Sequence, residues 1–466
     1  MSPIPTALIL LVGAVSLWLS LNRSVGAVFT YVLLPGVLLA FTVPAIEVQK
    51  LPDISIIAAA SYGTLLGVVI RGPRKVFSLG VIDIMVVLLA LWRVLSGVVT
   101  DVVYTGVSTI GNDTLTVLGP YFMARATFVD PYWRVRAAKV IAVLAAGLAF
   151  VALIEWRLIP MYYSRQIMSP LGLTTVDWVM VQGRFGFFRA QASFCHPIDL
   201  GNGGAILGCM LLAMALTCGR SLKTPWVLVG GIGCTIMVLT SMSFTSYVAV
   251  SAIGGLLLLL RASRIGAYAL LPIGLVALLG YSAMSQHFIE TEPEAPAWEH
   301  YEQSDETSGP LYVRHFIVHS AWEGMREAGV FGIGKTKYEP SYFGLASIDN
   351  SYALFVLNFG WGYLVLFLLT AFVIAFKAMM ALVYVENGAS RLPLAAGVAG
   401  VVGTALGMYT VFFGFVYATL FWMLLGMLAS MIREVQERAG NAEPVQLDAA
   451  KRFSEEHAPA TAGAFS

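Results

Sequence analysis

Charge is what this sequence has least of. Only 12% of its 466 residues are Asp, Glu, Lys or Arg, roughly half the share of a soluble globular chain. The 28 basic and 27 acidic residues nearly cancel, to a formal charge of +1. That balance excludes a generally basic nucleic-acid binder. The four cysteines, Cys195, Cys209, Cys218 and Cys234, make no disulfide framework. The last three sit in apolar runs, where cysteine behaves as a small hydrophobe. The first apolar run, residues 4–21, has no small-residue cleavage site behind it. It reads as a first membrane span and not as a removed leader.

What fills the chain instead is apolar sequence: 58% of the residues are hydrophobic, and the mean hydropathy is +0.79. About 20 apolar residues are needed to cross the hydrocarbon core of a bilayer. On that length there are candidate spans near 4–21, 26–45, 54–70, 77–98, 105–124, 138–156, 199–218, 225–240, 244–260, 266–284, 350–376, 393–411 and 412–431. The expected fold is all-α: a polytopic integral membrane helical bundle of about 12–13 transmembrane helices, embedded in a lipid bilayer.

Lys and Arg in short loops mark the cytoplasmic face. One face collects Arg23; Arg71, Arg74 and Lys75; Arg125, Arg134, Arg136 and Lys139; Arg220 and Lys223; Arg261 and Arg264; and Lys377 with Arg391. The polar, Ala/Glu-rich tail from Arg433 onward falls on the same side and is expected to be disordered. The opposite face carries two long segments, 157–198 and 285–349. The second opens with Glu290, Glu292, Glu294, Glu299, Glu302, Asp305 and Glu306 before its first cation, Arg314. Connections between packed helices are short by default, so function is expected on this external, long-loop face. The sequence shows no inverted repeat and no matching pair of broken helices, the pointers to a secondary transporter. Asp83 and Arg93 lie within the fourth span; an intramembrane charge is a functional hypothesis by default, and an internal pair holding helices together carries equal weight.

In the larger loop, Ser308-Gly309-Pro310 reads as a helix start and Gly329 as its stop. Ile317, Val318, Ala321, Met325 and Ala328 then form one apolar stripe at helical period, with Arg314 in its middle and His315, His319, Glu323 and Arg326 on the other face. Burying a guanidinium demands an anionic partner; the plain alternative is an arginine snorkelling past the stripe to water. His315, His319 and Glu323 have a possible metal spacing, but histidines on a polar face are usually solvated, and no metal is expected. Residues 329–336 match the P-loop pattern formally yet lack the strand before and the helix after. They read as a glycine-rich turn whose exposed amides, with Lys335 and Lys337, could meet a phosphate.

The smaller loop carries Arg157, Arg165, Arg184 and Arg189 on the side that ordinarily lacks positive charge. Arg157 and Arg165 suit lipid headgroups. Arg184 and Arg189 stand where the chain re-enters the membrane and suit an anionic ligand. His196, directly before Pro197, reads first as a helix cap and second as a base.

Four features in order resemble the superfamily of O-antigen ligases and O-antigen polymerases. They are Arg184 to Gly201 ending in His196-Pro197-Ile-Asp-Leu-Gly201; Arg314 followed by Gly329-Val-Phe-Gly-Ile-Gly334; Asp349-Asn350-Ser-Tyr352 leading to Asn358-Phe-Gly360-Trp-Gly362; and the large external loop placed just before that last element. The resemblance covers roughly residues 105–430. It implies N-terminal helices over 1–104, a ligase/polymerase-like membrane domain over 105–432 and a tail over 433–466. It also implies a bacterial inner-membrane protein, multi-pass, with a cytoplasmic C-terminus.

Members of the superfamily transfer glycans from an undecaprenyl-diphosphate-linked donor to a glycan or lipid-linked acceptor, without a metal or other cofactor, alongside other polysaccharide-assembly proteins. Carried over by position, Arg314 matches the arginine of the large loop and is read as the main diphosphate clamp; Arg189 with Arg184 is read as the second. Asp349 is the candidate general base, with Asn350 orienting it or the sugar; His196, His319 and Lys335 are further candidate substrate contacts. The ligase pattern has Ser-Arg where this chain has Ser241-Met-Ser243, and His where it has Asp349; both departures count against a ligase, and Asp349-Asn350 resembles the polysaccharide polymerases. A transporter or flippase of lipid-linked glycans, which would want functional charge along its spans, and a non-catalytic envelope assembly partner are the competing readings.

Overall fold

In a computed structural model of the chain, the described residues are 3–39, 46, 54–72, 79–100, 103–173, 183–184, 186–194, 196–262, 321, 324–334, 350–385, 388–408 and 415–456. They are almost entirely helical. The helices are α1 (Pro3–Asn22), α2 (Val25–Leu39), α3 (Ile56–Arg71), α4 (Val81–Thr100), α5 (Val103–Val129), α6 (Pro131–Arg157), α7 (Pro197–Cys218), α8 (Thr224–Thr240), α9 (Phe244–Ala262), α10 (Ser351–Tyr384), α11 (Gly388–Met408) and α12 (Phe415–Glu456). Eight of these are long and apolar enough to cross a membrane, and α2, α3 and α8 are shorter apolar helices. The chain is a multi-pass membrane helical bundle.

Each helix answers to one expected span, except that 266–284 lies outside the described residues. α12 continues past Arg433 to Glu456, into the stretch expected to be a disordered tail.

Starts follow ordinary capping chemistry. The Ser24 and Ser55 hydroxyls accept the amides of Ala27 and Ala58, and Asp130 accepts that of Tyr132 with Pro131 in the first turn. Lipid gives apolar side chains no reason to leave it, so close backbone approach holds such a bundle together. A Cβ on Gly230 would come within 2.9 Å of Ala142, and one on Gly233 within 2.7 Å of the Ala145 backbone. At the same two positions α6 and α8 pack nearly backbone to backbone.

At the short-loop end the charges close on one another. Asp83, in the first turn of α4, forms a buried ion pair with Arg125 near the end of α5. Asp83 also accepts from the Tyr121 hydroxyl at 2.7 Å and from the Gly80 amide at 2.5 Å. Arg134 is buried too, donating Nε to the Phe128 carbonyl at 3.1 Å and Nη2 to Glu434 at 3.2 Å. Arg125 and Arg134 were expected in a cytoplasmic loop. Asp130 alone separates α5 from α6, so both are helical residues turned inward. Asp83 does not pair with Arg93, whose guanidinium stands 4.7 Å from the centre of the Phe359 ring.

Candidate functional site at the long-loop face

The smaller loop is moored to the bundle by one carboxylate. Glu155, fully buried in the last turn of α6, accepts the amides of Tyr163 at 3.0 Å, Gln191 at 2.7 Å and Ala192 at 2.6 Å. A carboxylate satisfied by several amides is a strong local anchor, and it tolerates Ala192 in a left-handed conformation at φ 48°. Two further ties reach α2: the Tyr163 hydroxyl donates to the Leu39 carbonyl and the Ser193 hydroxyl to the Leu38 carbonyl. Burial pushes the Tyr163 phenol up to about 12. Between these moorings a two-residue hairpin pairs Arg184 with Phe187. Trp156 stacks on Phe187 at 4.6 Å, and the Arg157 guanidinium lies 5.4 Å from the same ring. Arg157, expected to meet lipid headgroups, has an aromatic face beneath it.

This moored loop delivers both of its inner arginines to one place. Arg184 Nη1 donates to the Met242 carbonyl at 2.9 Å, and Arg189 Nε to the Ser241 carbonyl at 3.1 Å. The Ala190 amide bonds the Thr240 carbonyl at 3.0 Å. The loop therefore caps the end of α8 and the turn before α9. A helix C-terminus carries partial negative charge, which suits cations. The cations at this turn arrive from the preceding loop.

α7 begins beside that turn: a Cβ on Gly201 would fall 2.5 Å from the Ser241 hydroxyl. His196 caps α7, its Nδ1 accepting the Ile198 amide at 3.2 Å, with Pro197 in the first turn. Behind it, Asp199 and Asn202 are buried on one face, and Asn202 Oδ1 accepts from the Ser246 hydroxyl of α9 at 3.1 Å.

Asn350 opens α10 on the same face. Its Oδ1 accepts the amides of Tyr352 at 3.0 Å and Ala353 at 3.1 Å. That oxygen is spent on the cap, so the NH₂ of Asn350 is the group left to face a neighbour. Tyr352 ties α10 to α11 through the Ala405 carbonyl at 2.7 Å, and the Tyr417 hydroxyl of α12 reaches the Thr404 carbonyl at 2.6 Å.

The two glycine-rich elements meet. α10 spans 34 residues but is broken at Gly360, at φ 82° and ψ 171°. A break at membrane depth must satisfy every backbone group it frees. Here segment 329–334 and α4 do so. The Leu357 carbonyl accepts from the Ile333 amide at 2.7 Å, while the amides of Trp361 and Gly362 turn to the carbonyls of Gly329 at 3.0 Å and Val330 at 3.2 Å. The Asn358 carbonyl lies 3.2 Å from the Ser96 hydroxyl and shares its one proton with the Phe331 carbonyl at 2.6 Å, and the Phe359 carbonyl takes the Trp92 indole N–H at 3.1 Å. Gly332, at φ 87°, and Gly360 stand so close that a Cβ on either would strike the other's backbone.

The glycine-rich turn expected over 329–336 is present over its described part. Its Ile333 amide, however, is committed to α10 and is not an open phosphate cradle. The expected apolar stripe is borne out where it is described: Ala321, Met325 and Ala328 pack on Ala353, Val356 and Leu357, while Arg326 is exposed.

Arg314, His315, His319, Glu323, Lys335 and Asp349 lie outside the described residues. Among the described residues no group of His, Cys, Asp or Glu is placed to hold a metal ion. Sequence reasoning passed over Glu155, Trp92 and Ser96. For Glu155 the signal was there, a lone carboxylate ending a long apolar run.

The fold and this face define a polytopic helical membrane protein whose described loop segments, 159–173, 186–194 and 329–334, bond back to its helices. No family model matches the chain, and no curated protein matches it.

Proposed function

We propose that the protein is a membrane glycosyltransferase that polymerises or ligates glycans from an undecaprenyl-diphosphate-linked donor at the external face of a bacterial inner membrane. Its C-terminus lies in the cytoplasm, and it serves O-antigen or exopolysaccharide biosynthesis. The observation that carries the reading is the gathering of Arg184 and Arg189 on the turn between α8 and α9, beside the start of α7. Among the described residues Arg184 meets a backbone carbonyl there and no carboxylate, so its charge remains for an anion.

The chemistry needs little more. Diphosphate leaves with developing negative charge, which fixed guanidinium groups stabilise in bidentate geometry. A carboxylate, Asp349, removes the proton of the incoming sugar hydroxyl. Arg314 is the further diphosphate clamp. His196 contributes as the cap that fixes the start of α7.

The break in α10 does not favour a transporter. In discontinuous transporter helices the freed carbonyls coordinate ions; here Ser96, Trp92 and segment 329–333 have already taken the freed groups.

The test is the chain-length distribution of surface polysaccharide in a deletion strain complemented with wild type, Arg184→Ala or Arg314→Ala. Single repeat units after deletion identify a polymerase. Long chains stranded on the lipid carrier identify a ligase. Unchanged polysaccharide, or full activity in both arginine variants at normal protein level, overturns the reading in favour of a transporter or an assembly partner.

A further inference from the structure

The break in α10 is closed partly by a helix far away in the chain. Trp92 and Ser96 sit one turn apart on α4, and each touches both sides of the joint. The Ser96 hydroxyl lies 2.6 Å from the Phe331 carbonyl and 3.2 Å from that of Asn358. Trp92 donates to the Phe359 carbonyl at 3.1 Å and stacks its ring on Phe331 at 5.5 Å. Ser96 is fully buried. A helix merely covering the break would need to reach one side of it; α4 clamps the glycine-rich turn and the half-helix to each other.

The half-helix 351–359 is the part of α10 beyond the joint, and Asn350 caps its far end. At 1.5 Å per residue that end stands about 14 Å from Gly360. A swing of about 5° at the joint therefore carries Asn350 through roughly 1 Å, a misplacement that can cost on the order of 100-fold in rate.

We infer that Trp92 and Ser96 are positioning residues of the long-loop site. By locking the joint they fix the half-helix, and with it Asn350 at its cap. What they position rests on the glycosyltransferase reading; that they lock the joint does not.

The experiment uses the full chain in lipid nanodiscs, as wild type, Trp92→Phe, Ser96→Ala and Ser96→Thr. Trp92→Phe keeps a ring over Phe331 and removes the N–H; Ser96→Thr keeps the hydroxyl. Amide hydrogen exchange over 329–334 and 350–362 is expected to rise in Trp92→Phe and Ser96→Ala, with melting temperature held near wild type, and to return toward wild type in Ser96→Thr. With a polyprenyl-diphosphate-linked glycan as donor, kcat is expected to fall roughly 10- to 100-fold in Ser96→Ala at unchanged donor KM, with recovery in Ser96→Thr. Unchanged exchange in both Trp92→Phe and Ser96→Ala overturns the lock. Faster exchange with unchanged kcat overturns the positioning role. A wild-type protein that transfers no sugar counts against the proposed function, and exchange then decides the lock by itself.

Discussion

Two buried arginines at the short-loop end and one arginine at the long-loop end are held in opposite ways. Arg125 is buried against Asp83, and Arg134 reaches Glu434. These two cations each have a carboxylate partner between helices, whereas Arg71 and Arg391 at the same end donate to backbone carbonyls. At the long-loop end Arg184 is held by the Met242 carbonyl, a dipole and not a charge. A guanidinium cancelled by a carboxylate is lost to any ligand; one oriented by a carbonyl keeps its charge and most of its donors. The same residue type is thus neutralised between helices at Arg125 and Arg134 and, on the proposed function, left charged for an anion at Arg184.

Four predictions sharpen or break that contrast, the largest effect first. Asp83→Ala strands Arg125 inside the bundle and is expected to cost about 3–5 kcal/mol. Folded yield and melting temperature in detergent measure this, and adding Arg125→Met should restore much of the loss. If Asp83→Ala is as stable as wild type, the short-loop pair is not scaffold.

Gly360→Ala combines a backbone conformation that costs side-chain residues about 1–3 kcal/mol with a collision against Val330. Destabilisation and faster exchange in both 329–334 and 350–362 are expected together. Arg184→Ala is the counter-case to Asp83→Ala: stability should fall by only about 1 kcal/mol, whereas glycan transfer should fall on the order of 100-fold. Arg184→Lys should recover little, since an ammonium lacks the planar fork. Comparable damage to stability and transfer would make Arg184 scaffold as well.

The smallest effect is one of pH. Folding holds the Tyr163 phenol neutral up to about 12, above its ordinary value of 10.0. Its contribution is complete below pH 10 and is lost as pH rises toward 12. Accessibility of the smaller loop to protease should rise across that window in wild type and not in Tyr163→Phe.

How much of this was legible in the sequence follows from the range of each interaction. Spans are written locally, so apolar length alone located all twelve described helices. The stripe through Ala321, Met325 and Ala328 came from helical period, and the cap at His196 from the proline after it. Arg125 and Arg134 were misplaced because counting cations in apparent loops cannot see that one residue, Asp130, separates two helices. The pairing of Asp83 with Arg125 crosses between helices and leaves no periodic trace. Likewise Gly329–Gly334 and Asn358–Gly362 were each visible as glycine clusters. That one would fill the gap in the other depends on backbone hydrogen bonds, which no side-chain pattern encodes.

The joint also sets a timetable for biogenesis. Ser96 and Phe331 are 235 residues apart, and Trp92 and Phe359 are 267 apart. At ribosomal rates of about 5–20 residues per second, the shorter separation alone represents roughly 12–47 s of synthesis. α4 must therefore enter the bilayer and wait while the chain between is made. A serine hydroxyl can wait safely, because it can bond the carbonyl one turn back in its own helix until its partners arrive. The joint therefore cannot close until residue 362 is made, when roughly three-quarters of the chain has been translated, and the contacts of α11 and α12 follow it.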